Sequence, residues 1–198
     1  RLPADRADVA VVLRGPTEPI TVRRKEKVAG IWMNTSSAEF RTAPAFYAIA
    51  SSAPLDQLVS ARDAAIYELG LRNLQLSPAS GGGAEEARMF ESGLIDLKTR
   101  HGLFVERAEG VEISEGVLYR ARLPIPARVP VGSYTAETFL IHDGQVVARA
   151  TRTIEIDKSG FERLMYLFAQ RHSLLYGLTA MIIALSLGWL AGLIFRKR

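Results

Sequence analysis

The chain has 198 residues, with 25 Lys and Arg, 21 Asp and Glu, three His and no Cys. That length allows one or two domains with a real core, and the missing cysteine excludes a disulfide framework, a thiol nucleophile and a thiolate metal site. Of the net charge of +4, three units belong to the final Arg196-Lys197-Arg198, so the rest is nearly neutral and offers no footprint for nucleic acid.

Four stretches read as strands in the N-terminal part. Asp8 to Arg14 is a strongly apolar run closed by Gly15-Pro16. Pro19 to Lys25 alternates Ile20 and Val22 with Thr21 and Arg23. Gly30 to Asn34 and Ala45 to Ala50 carry Ile31, Trp32, Phe46 and Tyr47. β-branched and aromatic enrichment between turn residues supports each strand. Arg23-Arg24-Lys25-Glu26-Lys27 is the densest charge cluster outside the tail. Arg23, Arg24, Lys25 and Lys27 suit an anion, an acidic partner or lipid headgroups. The plainer alternative is a solvated edge strand, since edge lysines block sheet pairing. Alternation puts Arg23 and Lys25 on one face and Arg24 on the other, so the cluster is not one pocket.

Two helices follow. Pro54 opens the first, with Leu55, Leu58, Val59, Ile66 and Leu69 near helical spacing and Gly70 as its stop. A Ser/Gly-rich loop over 77–83 leads to a second helix, Ala84 to His101, with Phe90, Leu94 and Leu97 on one side. Both are expected to cover an edge or end of a sheet. The pattern then returns to β. Val117 to Leu123 alternates, and Ser133 to His142 and Gln145 to Ile156 flank Asp143-Gly144, a strong two-residue hairpin turn. In the last strand, Val146, Ala148, Ala150, Ile154 and Ile156 are expected to share one face. Pro130-Val-Gly-Ser-Tyr134 resembles the entry of immunoglobulin-like strands, where a tyrosine sits at a sheet corner. The predicted fold is mainly β. It is an immunoglobulin-like β-sandwich over residues 1–157, with a helical insertion at about 54–101.

Residues 158–172 have a helical pattern with a broad apolar side, suited to a membrane surface, a partner or a simple extension of the next helix. Ser173 to Phe195 is a 23-residue run without charge. As a helix it spans roughly 34 Å, enough for a ~30 Å hydrocarbon core. Tyr176 and Trp189 lie near its ends, where such rings prefer the interface. Gly177, Ala184, Gly188 and Gly192 form a small-residue face, with Gly188-Trp-Leu-Ala-Gly192 as a GxxxG. Small residues let helices in lipid approach closely, so this face suits a second copy or another membrane protein. The basic residues before and after the span balance in number. The contiguous tail, residues 196–198, favours a cytoplasmic C-terminus. With no initiator Met, an upstream signal peptide or further segment is expected, which would put residues 1–172 outside the cytoplasm and the domain 1–157 in the periplasm; without it the chain would be tail-anchored with the opposite topology.

The chemical motifs are sparse. Glu85-Glu86 suits a helix N-terminus, His101 at a helix end and His142 before a turn suit ordinary structure, and His172 sits at the membrane boundary. Ser51-Ser52 lacks the G-x-S-x-G of a nucleophile elbow, and Gly81-Gly82-Gly83 lacks the Lys of a phosphate loop. The expectation is a non-enzymatic chain with neither cofactor nor metal.

Thr21-Val-Arg-Arg-Lys-Glu-Lys-Val-Ala-Gly-Ile-Trp-Met-Asn34 and Pro44 to Ser52 resemble the alphaproteobacterial single-pass transmembrane family of unknown function, Alph_Pro_TM. So does the closing Tyr176-Gly177 with Gly188 to Ala191. The likeness runs over almost the whole chain. Members of that family usually carry a signal peptide and an additional N-terminal β segment. They are often encoded beside exporters of the TauE/SafE sulfite or organosulfonate type. The resemblance therefore implies a periplasmic accessory subunit anchored in the bacterial inner membrane and partnered with a polytopic anion transporter. A homo-oligomeric envelope module is the alternative.

Overall fold

In the computed structural model, described over residues 7–76, 78–79, 83–114, 118–157 and 161–195, strand β1 (Asp8–Arg14) is the centre of a five-stranded sheet. Its side chains are buried on both faces from Val9 to Leu13, which is why the run is apolar without alternation. Antiparallel partners flank it: β4 (Tyr47–Ser51) on one side and β8 (Gly132–His142) on the other. The order is completed by β5 (Phe104–Arg107) beside β4 and β9 (Gln145–Ile156) beside β8. Two ribbons are hydrogen-bonded separately from this sheet. They are β2 (Thr17–Val28) with β3 (Ile31–Pro44), and β6 (Val111–Ser114) with β7 (Leu118–Ala121).

The helical insertion has a topological cause. β4 and β5 are parallel neighbours, and parallel strands need a long crossover between them. That crossover contains α1 (Leu55–Leu58), α2 (Ala61–Ile66) and α3 (Ala84–Arg100). The single helix expected between Pro54 and Gly70 is broken at Val59 and Ser60. Ser60 Oγ accepts from the Asp63 amide at 3.2 Å, and the Ser60 amide donates to Gly144 O at 2.8 Å. A cap and a bond to the β8–β9 turn therefore outweigh the helical spacing.

These helices cover a face of the sheet, not only its edge. Ala10, Val12, Tyr47, Ile49, Phe139 and Ile141 pack with Leu58, Leu69, Phe90 and Leu94, and with Ala38 and Phe40 from the base of β3. On α3 the buried stripe is Phe90, Leu94 and Lys98, while Leu97 is exposed, contrary to the apolar side expected for it. The helical repeat returns at 90, 94 and 98, and the Lys98 ammonium is accommodated there by Glu18 Oε1 at 2.8 Å. The opposite face carries Val9, Val11 and Ala50 against Val111 of β6, and Leu13, Phe46 and Ala48 against Tyr134.

The mainly β class holds, and so does the Asp143-Gly144 turn, with both residues at positive φ (48° and 75°) and His142 paired with Gln145. Tyr134 does occupy a corner, its hydroxyl donating to Pro130 O at 2.7 Å. An immunoglobulin-like sandwich is not established by that contact, because the main sheet contains a parallel pair and the other strands form two-stranded ribbons. The single face expected for β9 is also corrected. A register shift after Leu140 sets Val146 opposite Ile141 but Ala148 opposite Leu140. Val146 and Ala148 therefore serve different faces. As an edge strand, β9 is exposed from Val147 to Glu155.

The chain divides into two compact units, Arg1–Ile156 and Asp157–Arg198. The second holds α4 (Phe161–Arg171) and α5 (Ser173–Phe195). Backbone bonds run through their junction, from the His172 amide to Phe168 O and from the Tyr176 amide to His172 O. The segment before the span is thus close to a helical extension of it. The basic tail 196–198, the first three residues of the helical pattern expected at 158–172 and the expected strand start at Val117 lie outside the described residues.

Candidate interaction surfaces

α5 is long and apolar enough to cross a bilayer. Two of its hydroxyls are satisfied within the helix. Thr179 Oγ1 donates to Leu175 O and Ser186 Oγ to Ile182 O, each at 2.7 Å. A hydroxyl bonded one turn back leaves no donor facing lipid. Phe168 lies 6.0 Å from the His172 ring and 6.2 Å from the Tyr176 ring, an aromatic row along one side of the α4–α5 junction. At about 100° per residue, Gly177, Ala184, Gly188 and Gly192 fall within an arc of about 80°. A Cβ placed on Gly177, Gly188 or Gly192 meets nothing within 4 Å. No contact among the described residues therefore requires glycine at those three positions.

The basic cluster lies on the outer half of the β2–β3 ribbon. Ala29 and Gly30 make the turn, both at positive φ (49° and 87°), with Val28 opposite Ile31. Lys27 pairs with Trp32, Lys25 with Asn34 and Arg23 with Ser37, so Arg23, Lys25, Lys27 and Trp32 share one face. Arg24 lies on the other and is ion-paired with Glu26. The structure therefore brings three of the four cations together and separates the fourth. It also adds what the sequence reading missed, an apolar tip. Val28, Ile31, Trp32 and Met33 are all exposed, Trp32 at 67%. The signal was present in Ala29-Gly30, but alanine is an unusual occupant of a left-handed turn position.

A cleft and a charged network lie elsewhere on the first unit. A cleft of about 530 Å³ is lined by Ser51, Leu55, Asp56, Arg72 and Glu106 among others. Three of its polar side chains, Ser51, Asn73 and Glu106, are engaged in structure. Glu106 Oε2 accepts from the Leu71 amide at 3.0 Å, and Ser51 Oγ donates to Ala53 O at 2.7 Å. The second is a charged network on the helix-covered face of the sheet. Arg14 is ion-paired with Glu68 and lies 3.5 Å from Glu137, which also pairs with Arg149. The Arg14 guanidinium sits 5.6 Å from the centre of the Tyr47 ring. The Tyr47 hydroxyl donates to Glu68 O at 2.9 Å and accepts from the Gly70 amide at 3.0 Å. Burial holds that phenol far above the usual range, opposed by the Gly70 hydrogen bond and the Arg14 charge. Desolvation, aided by the Glu18 charge, also raises Tyr134. Both groups stay neutral and serve as hydrogen-bonding struts. Among the described residues, no three His, Asp or Glu side chains converge as a metal site would require.

No curated protein and no solved structure matches the chain. Residues 1–197 match the family described as "Putative transmembrane protein (Alph_Pro_TM)". With one apolar helix of spanning length among the described residues and a family match over nearly its whole length, the chain belongs to the Alph_Pro_TM family of transmembrane proteins.

Proposed function

We propose that this protein is a non-enzymatic accessory subunit that docks on a multi-spanning membrane protein through the small-residue face of α5. The observation that carries this reading is the open space beside Gly177, Gly188 and Gly192 on a helix built for lipid. In a bilayer apolar burial does not drive association, so close backbone approach at such a face is the available source of affinity. The engagement of Ser51, Tyr47 and Glu106 within the fold supports a role in interaction over one in catalysis. The family resemblance points to an anion exporter of the TauE/SafE type as the partner. The basic tail after the span supports a cytoplasmic C-terminus, with the β unit on the periplasmic side of a bacterial inner membrane.

Co-purification tests the reading. The full chain is tagged, membranes are solubilised gently and bound proteins are identified by mass spectrometry. A stoichiometric polytopic transporter is expected with the native chain. It is expected to be lost with Gly188→Leu plus Gly192→Leu, while the variant remains in the membrane. Unchanged co-purification of the double variant overturns docking through this face. Recovery of the protein alone, cross-linked to itself through the same positions, replaces the transporter reading with a homo-oligomer.

A further inference from the structure

We infer that the tip of the β2–β3 ribbon is a lipid-binding element that inserts into the surface of an anionic bilayer. This goes beyond the docking role of α5 and rests on different residues. From Arg23 to Ser37, every residue except Glu26 and Ser36 is exposed, so this half of the ribbon has no packing partner among the described residues. Ile20 and Val22, by contrast, pack against the core. The free ribbon from Val22 to Val28 extends about 20 Å at 3.3 Å per residue.

The order of side chains along that ribbon matches the order of layers in a membrane. Val28, Ile31, Trp32 and Met33 come first, at the turn. Lys27, Lys25 and Arg23 follow on the Trp32 face at two-residue intervals. With the tip seated among the upper acyl chains, Lys27 and Lys25 fall within about 10 Å of it, at headgroup depth. Tryptophan favours that boundary, and each cation there gains from anionic headgroups. Four basic residues against Glu26 give the segment a charge of +3, and Arg24 already neutralises Glu26. No uncompensated carboxylate on the outer ribbon faces the surface. An apolar tip without the cations would suit many partners. The cationic rungs directly behind it select an anionic lipid surface, which a chain with its own spanning helix meets at high effective concentration.

The chain has two tryptophans, Trp32 and Trp189, so Trp189→Phe leaves Trp32 as the sole reporter. The full-length variant is reconstituted into vesicles of phosphatidylcholine alone or with phosphatidylglycerol, and Trp32 emission is recorded. With phosphatidylglycerol, a blue shift, quenching by lipids brominated high on the acyl chain and protection from acrylamide are expected. Arg23→Glu with Lys25→Glu and Lys27→Glu, on the same background, is expected to abolish the dependence on phosphatidylglycerol. These side chains are exposed, and an unchanged thermal midpoint certifies the fold. Identical emission in both vesicles with full acrylamide access overturns the proposal. Shielding of Trp32 only in the presence of a co-purifying protein also overturns it and assigns the tip to that protein. Gly188→Leu with Gly192→Leu leaves the lipid signal intact, so this outcome is separable from failure of the docking reading.

Discussion

Tyr47 shows how a single side chain joins the sheet to its crossover. Its ring is fully buried, and its hydroxyl bridges Glu68 O and the Gly70 amide just after α2. Tyr47→Phe keeps the ring but orphans the buried Gly70 amide. A loss of about 2 kcal/mol is expected, read as a lower denaturation midpoint for the full chain in detergent. The pH dependence has a definite sign. The folded phenol ionises well above its ordinary value of 10.0, so the unfolded chain releases that proton first. Its contribution is therefore full below about pH 10 and declines as the pH rises above that value. Tyr134 shifts in the same direction and adds to the slope. Thermal midpoints between pH 9 and 11 are expected to fall less steeply in Tyr47→Phe than in the native chain. Equal slopes would show that Tyr47 ionises alike in both states.

Among the elements, those with long, regular signals were legible in the sequence. β1 is a continuous apolar run, the β8–β9 turn is Asp-Gly, and α5 is a charge-free helix of membrane length. β5 and β6 were not, because four residues each are too few to display a period. The break at Ser60 was hidden because Leu58, Val59 and Ile66 keep helical spacing across it. The charges of the β2–β3 ribbon were legible in sequence, but the joining of Trp32 to Lys27, Lys25 and Arg23 required the pairing register. The seat of the β6–β7 ribbon was equally hidden, since it depends on Gly110. A Cβ there would lie 2.9 Å from Ala50 Cβ and 3.3 Å from Arg107 O. Neither neighbour is the end of a flexible side chain, so Gly110→Ala must lift the ribbon from the sheet. A cost of about 1–3 kcal/mol is expected. A lower denaturant midpoint with an unchanged m-value would register it, and an unaltered midpoint would show that the seat yields freely.

At the scale of the whole molecule, the surface of a folded β unit and an apolar helix obey different solvents. In the first unit, apolar residues such as Phe46, Tyr47 and Leu94 are buried inside and charges lie mostly outside. α5 reverses this, with every described side chain from Ser173 to Gly192 exposed and none charged. Such a surface is costly in water and stable in hydrocarbon. The chain is therefore expected to stay with the membrane after high salt and alkaline carbonate, which strip proteins held by charge alone. Retention by α5 and retention by the ribbon tip can be told apart. Ile182→Arg with Ile183→Arg places two cations near the centre of the span, at roughly 3 kcal/mol each. That double variant is expected to appear in the carbonate supernatant, whereas loss of Arg23, Lys25 and Lys27 is not expected to release the chain. If the Ile182/Ile183 variant stayed in the pellet, α5 would not be the principal anchor. The ribbon's cations act at a screened surface, where about 1 kcal/mol each is gained and salt removes most of it. The span acts through dehydrated apolar area, which salt does not weaken. Carbonate and salt together thus separate a permanent anchor from a reversible contact on the same chain.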